Sequence, residues 1–260
     1  MDKKVVFVTG AVRNTGYAIA QRFAKEGWNV CISSRDDASA SEAVARLQAE
    51  FPQTEFLGLG MDQSYVDQIH AAFAKIEERF GRLDAFVANA AHLAVDYNTF
   101  NTTPEMWDSV MNANVRGTFF CSQSAAEIMK KTGGSIVLIS SVHANQSITG
   151  RVAYSSSKAA INAMMRCMAV ELGYLGIRVN ALIAGAIWTE RWATQSEEIT
   201  SKRRAQYPAG KESAPEDIAA AVYFLGSDQS PTITGTEMTV DSGISVCLLP
   251  YNKNWNQPKE

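Results

Sequence analysis

The chain has 260 residues, 46% hydrophobic and 20% charged, enough to bury one sizeable α/β core without disulfides or metals. A formal net charge of −3 and a single short basic run, Lys202-Arg203-Arg204, offer no footprint for nucleic acid; that run is expected to be a solvated helix face. The first apolar run, at 5–8, is too short for a signal peptide and no later stretch approaches a membrane span, so a cytoplasmic protein is expected.

Short β-branched runs alternate with longer helical patterns from the start. The strand at 5–8 leads through Thr9-Gly10-Ala11-Val12-Arg13-Asn14-Thr15-Gly16 into a helix at 17–26. Such a turn can hold a pyrophosphate against helix N-terminal amides, with Gly10, Arg13, Asn14, Thr15 and Gly16 as candidate contacts; an ordinary glycine-containing turn reads the same way. Asn14 stands where many nucleotide-binding turns carry glycine, and Asn is among the few other residues that visit positive φ at modest cost.

The second strand, at 30–33, ends in Ser33-Ser34-Arg35 ahead of a helix at 39–50. Ser34 and Arg35, with Arg13, would welcome the 2′-phosphate of NADP, whereas a carboxylate at that tip would select the free ribose of NAD. NADP is therefore expected, with NAD the alternative, because Asp36 and Asp37 follow at once. A third strand at 55–59 and helix at 65–80 are joined through Asp62 and Gln63, candidates for the adenine side; Asp62 reads equally as a helix cap. The fourth strand, at 85–88, runs into Asn89-Ala90-Ala91, where Asn89 can tie backbone segments together and Ala90 can let a cofactor lie close.

Helices about 104–131 carry Asn112-Ala113-Asn114-Val115-Arg116-Gly117, and a strand at 135–139 closes in Ser140-Ser141. In the helix at 151–171, Tyr154 and Lys158 share one face, so the ammonium is expected to lower the phenol pKa. Tyr207 and Lys211 repeat the spacing, but Pro208 and Gly210 interrupt any helix there. A strand at 178–182 precedes an irregular stretch, 184–211, rich in Trp and charge and read as a substrate lid; its bland alternative is a surface helix with exposed tryptophans. A helix at 215–226, a strand at 237–240 and a polar tail at 248–260 complete the chain. The alternation predicts one α/β domain over 1–260, a doubly wound parallel sheet of about seven strands with helices on both faces. Cys31, Cys121, Cys167 and Cys247 are expected to be reduced and packed as small hydrophobes, and the three histidines share no ligand spacing, so no metal is expected.

With these motifs in this order, the chain resembles the classical short-chain dehydrogenase/reductase family over about 5–243. The resemblance implies a Rossmann-type fold and NAD(P)-dependent hydride transfer between nicotinamide and a carbonyl or secondary alcohol. It implies a catalytic tetrad of Asn114, Ser141, Tyr154 and Lys158, with Ser141 preferred to Ser140 because it lies thirteen residues before the tyrosine. Tyr154 would be the general acid or base and Ser141 would hydrogen-bond the reacting oxygen. Lys158 would also hold the nicotinamide ribose, and Asn114 would place a water linking that lysine to solvent. The Ile187 backbone and the Thr189 hydroxyl would embrace the carboxamide. Asn14, Ala91 and Ala184 depart from the family pattern in cofactor-cradling turns, which implies altered cofactor geometry or affinity with the chemistry intact. A homotetramer or homodimer follows by resemblance, with Ala159, Ala160 and Ala163 permitting close helix packing; the tail is either disordered or docks across a subunit boundary.

The residues expected to face substrate are His92, Leu93, His143, Asn145, Gln146, Trp188, Arg191 and Trp192. Their polar mixture predicts a small hydroxylated or anionic carbonyl compound, a sugar derivative or oxo acid, although His143 and Gln146 read equally as loop hydrogen bonding. Two other readings stay open. One is a 3-oxoacyl thioester reductase whose Lys202, Arg203 or Arg204 meets a carrier's phosphates; the other is a non-catalytic nucleotide sensor on the same fold.

Overall fold

The computed structural model describes residues 3–247, except the side chains of Arg191 and Ala193. The expectations placed on the 248–260 tail and on the Arg191 side chain therefore lie outside the described residues. Chain order is β1 Val5–Val8, α1 Asn14–Lys25, β2 Asn29–Ser34, α2 Asp37–Glu50, β3 Phe56–Gly60, α3 Val66–Phe80 and β4 Ala85–Ala88. Then come α4 Pro104–Met111, α5 Thr118–Met129, β5 Gly134–Ser141, α6 Val152–Leu172 and β6 Ile177–Ala184. The short α7 Glu190–Ala193 and α8 Glu197–Arg204 precede α9 Pro215–Gly226 and β7 Glu237–Val240.

The seven strands form one parallel sheet in the order β3-β2-β1-β4-β5-β6-β7, as the alternating pattern predicts. Because side chains alternate across a strand, Val5 and Phe7 face one layer while Val6 and Val8 face the other. Both faces are covered, which explains the continuous apolar runs. On one side Phe7 packs edge-on to Phe73 of α3, backed by Cys121 and Met129 of α5 and Met165 of α6. On the other, Ile19 and Phe23 of α1 pack with Leu47 of α2 and Val222 of α9.

The crossover changes direction between β1 and β4, so the loops at their carboxyl ends splay apart and open a crevice. One element departs from the expected helices at 104–131: between α4 and α5, Asn112–Gly117 is π-helical, a wider turn within one continuous helix. Cys31 and Cys121 are buried as expected, whereas Cys167 is exposed on α6, because its position falls on the side facing away from the sheet; Cys247 is half-buried, and all four thiols are free. No helix among the described residues is long and apolar enough to cross a membrane.

Candidate active site

The turn after β1 is built around two close approaches. Gly10 has φ +63°, and a Cβ there would stand 2.9 Å from the Ala90 Cβ; a Cβ on Gly16 would lie 2.5 Å from the Gly10 carbonyl oxygen. Asn14 takes φ +49°, the left-handed conformation that its amide side chain tolerates in place of glycine. Asn89 ties the two splayed loops together, its Nδ2 donating to the Thr9 and Gly10 carbonyls at 2.9 and 3.1 Å. The α1 N-cap, Arg13, is exposed and makes no capping hydrogen bond, so no side chain competes for the amides of that helix end, and Thr15 is half-buried beside it.

At the β2 tip Ser34 is half-buried and Arg35 exposed. Both following carboxylates are engaged: Asp36 caps α2 by accepting from Ser39 N at 2.7 Å, and Asp37 accepts from Gly60 N at 2.6 Å. Asp62 accepts from Ser64 N at 2.9 Å, a turn just ahead of α3. Gln63 is buried, and its amide donates to the Ala90 and Ala113 carbonyls at 3.1 and 2.7 Å. It braces the loops, so its amide nitrogen serves the backbone.

The four residues of the expected tetrad come together at the carboxyl ends of β4 and β5. Asn114 sits in the π turn, fully buried; its Oδ1 accepts from His92 N at 2.7 Å while Nδ2 donates to His92 O and Ser157 Oγ, each at 3.0 Å. Both amide hydrogens are thus used by protein. Ser157, marked in the sequence only by its place one turn past Tyr154, donates in turn to the Tyr154 carbonyl at 2.7 Å. The two serines separate cleanly. Ser140 Oγ donates to the Lys158 carbonyl at 3.3 Å, whereas Ser141 Oγ accepts from His143 N at 3.2 Å and lies near enough to the Tyr154 phenol to lower its pKa.

Lys158 is 3% exposed; its Nζ donates to the Ile139 carbonyl at 2.7 Å and lies 5.6 Å from the Tyr154 ring centroid. Burial lowers its pKa to about 8. The spacing argument predicted a phenol depressed by this ammonium, and the structure corrects that. Burial raises the Tyr154 pKa, opposed by the Ser141 hydroxyl and by the charge of Arg151, whose guanidinium carbon stands 5.8 Å from the ring centroid. Lys158 is turned to a backbone carbonyl, so in the protein alone it gives the phenol little help. Arg151 was not anticipated, although its position one turn before the tyrosine was a readable signal.

The substrate-side expectations divide. His143 is half-buried, with its ring 6.0 Å from that of Tyr154 and Nδ1 3.3 Å from the Gln146 carbonyl oxygen; burial, and then Arg151, lower its pKa. Gln146 spends its amide on the Ser245 carbonyl at 2.7 Å, the loop-bonding alternative. His92 and Leu93 are exposed, and Arg151 Nη1 donates to the Leu93 carbonyl at 2.6 Å; Asn145 is exposed. Trp188 is 38% exposed.

Beyond β6, Ile187 bridges to Ser213, and Trp188 N donates to the Ser213 carbonyl at 2.8 Å. Thr189 Oγ1 is buried with no hydrogen-bond partner. An orphaned hydroxyl in this place, the uncapped α1 end and the close-packed glycines together fit a bound dinucleotide, whose carboxamide Thr189 and the Ile187 backbone would meet. The basic run is largely the solvated face expected: Lys202, paired with Glu198, and Arg204 are exposed, although Arg204 also grips Glu212 through two bonds at 3.1 and 2.9 Å, while Arg203 is half-buried, 3.8 Å over the Trp192 ring. Glu212 is buried, and its hydrogen bonds from Arg204 hold its carboxyl below the usual range. No sequence pattern pointed to Glu212, because its partners are fixed only by the fold. Among the described residues no group of acidic, His or Cys side chains is placed to hold a metal ion.

Residues 10–245 match the sequence model of a family described as enoyl-(acyl carrier protein) reductase. The chain is 33% identical to a 3alpha-hydroxysteroid dehydrogenase of Mediterraneibacter gnavus over 93% of its own length and 96% of the relative's. It is 32% identical to glucose 1-dehydrogenase 2 of Bacillus subtilis, covering 94% and 95% of the two. The crystal structure of a levodione reductase superposes with a TM-score of 0.87 at 29% identity, over 94% of this chain and 98% of that one. Sheet order, site geometry and these similarities agree, and the chain belongs to the short-chain dehydrogenase/reductase family.

Proposed function

We propose that the protein interconverts a carbonyl and a secondary alcohol on a small polar substrate, with Tyr154 as general acid or base and NADP preferred to NAD. The observation that carries this reading is the placing of the Ser141 hydroxyl beside the Tyr154 phenol, next to a buried ammonium. The nucleotide, when bound, supplies or accepts the hydride. Ser141 stabilises negative charge growing on the carbonyl oxygen, and Tyr154 delivers the proton to it. A phenol whose pKa is raised stays protonated at neutral pH, which suits delivery to an alkoxide far more basic than itself. Asn114 acts as a positioning residue, locking the His92 backbone to α6 through Ser157.

Support for NADP comes from Asp36 and Asp37, whose engagement elsewhere leaves Ser34, Arg35 and Arg13 for a ribose phosphate. The relative named as a glucose 1-dehydrogenase is in line with a hydroxylated substrate, while the one named for a hydroxysteroid marks how far substrates diverge at equal similarity. The thioester reading is favoured by the description of the matching family but weakened by Arg203 and Arg204, which are already engaged by Trp192 and Glu212. Association through α5 and α6 is in line with the exposed Phe119, Val170 and Tyr174 on and beside those helices.

The test follows NADPH and NADH oxidation with ketoses, oxo acids and acetoacetyl thioesters. Tyr154→Phe is expected to lower turnover about a thousandfold while nucleotide binding by fluorescence persists. Undiminished turnover in that variant refutes the assignment; faster reaction with NADH refutes the NADP preference.

A further inference from the structure

The dehydrogenase reading leaves two chemically different substrates open, a neutral hydroxylated ketone and an anionic oxo acid, and one side chain distinguishes them. His143 follows Ser141 by two residues, and its backbone N–H donates to the Ser141 hydroxyl at 3.2 Å. Its ring stands edge-on to the Tyr154 ring, at 6.0 Å and an interplanar angle of 76°. The imidazole therefore stands beside both hydroxyl-bearing residues of the site.

The tautomer follows from its partner. Nδ1 lies 3.3 Å from the Gln146 carbonyl oxygen, which can only accept, so Nδ1 carries the ring proton. Burial and the nearby Arg151 both oppose a second proton. The neutral ring then presents Nε2 as a bare lone pair, and no described residue donates to it. A lone pair on the Tyr154 side of the cleft would attract a hydroxyl hydrogen of a bound substrate and repel a carboxylate oxygen. The one group that favours the anion, Arg151, already spends Nη1 on the Leu93 carbonyl at 2.6 Å.

We infer that His143 is a specificity-determining residue whose Nε2 accepts a hydrogen bond from a hydroxyl on the carbon next to the reacting one. The enzyme would then prefer α-hydroxy ketones, or vicinal diols in the reverse direction, to simple ketones and 2-oxo acids. This inference rests on the dehydrogenase reading. In reduction, hydride from the reduced nicotinamide adds to the carbonyl carbon, the C=O π bond opens, and the proton from Tyr154 completes the new hydroxyl; the neighbouring hydroxyl is unchanged.

The test compares kcat/KM for 1-hydroxy-2-butanone, 2-butanone and 2-oxobutanoate, which differ only in the group beside the carbonyl. The wild-type protein is expected to favour the hydroxyketone over butanone about tenfold or more. His143→Leu should bring that ratio close to one whatever happens to the absolute rates, and His143→Gln, which keeps an acceptor, should restore part of it. A wild-type ratio near one, a preference for 2-oxobutanoate, or a ratio that survives in His143→Leu overturns the inference while leaving the dehydrogenase reading intact. If none of the three is reduced with either nucleotide this inference falls, and the parent reading falls with it only if the ketoses, oxo acids and thioesters are inert as well.

Discussion

The β5–α6 side of the cleft holds its chemical groups by burial and by bonds to backbone, whereas the 185–213 side hangs on the β6 end, the Ser213 bridge and one buried carboxylate. On the first side Lys158 and Asn114 are nearly or wholly inaccessible, and the ammonium and the amide are each bonded to protein. On the second, Thr189 Oγ1 is left without one and Glu212 gathers Arg203 and Arg204. The contrast teaches that the proposed reacting groups are fixed in the fold itself, while the wall proposed to meet nucleotide and substrate is joined to it by a few replaceable contacts. Preorganisation of this kind costs stability where charge is buried.

The largest expected effect breaks the rigid side. Lys158→Met should reduce turnover at least about a hundredfold and yet raise stability at pH 7 by about 1–2 kcal/mol, the burial cost exceeding the lost bond to Ile139. The sign follows from a folded-state pKa of about 8 against 10.5 in the unfolded chain. Between those values only the unfolded chain holds the proton, so the wild-type protein gains stability relative to the variant as pH rises from about 8 to 10.5. Denaturant titrations of both proteins across that range check it; a constant difference between them contradicts the burial argument.

A smaller effect sharpens the other side. Glu212→Gln removes the carboxylate shared by two arginines, so KM should rise about tenfold with kcat altered no more than about threefold, and protease cleavage within 190–211 should quicken. An unchanged cleavage rate would mean the wall is held without Glu212. The smallest is Thr189→Val, nearly isosteric. Losing an unsatisfied hydroxyl should leave the protein alone as stable or about 0.5–1 kcal/mol more so, while the Kd for nucleotide rises about fivefold; unchanged affinity would show that the hydroxyl has no ligand role.

How much of this was legible beforehand follows the same division. Local chemistry was readable: α9 and β7 fall at the expected limits, Asn14 adopts the positive φ its type permits, and Asn89 ties the loops as an amide at a strand end can. The choice of Ser141 over Ser140, made by family spacing, agrees with their different partners. What was hidden depends on partners far along the chain. Gln63 braces Ala113, Gln146 reaches Ser245, and Glu212 collects arginines from α8. The Tyr154 pKa was misjudged for the same reason, since a shared helix face brings two groups close but says nothing of how deeply both are buried.

The wide turn at Asn112–Gly117 carries a consequence for the evolution of the chain. Ahead of it Val110 packs against Ala153 near the chemistry; beyond it Cys121, Ala125 and Met129 belong to the main core. Deleting one residue there would restore an ordinary ladder with both halves still in phase, but would remove the widened turn from which Asn114 reaches the His92 backbone and Ser157. A local gain in regularity would thus cost the site its Asn114 anchor, so insertions and deletions should be far less tolerated in these six positions than in the loops around them.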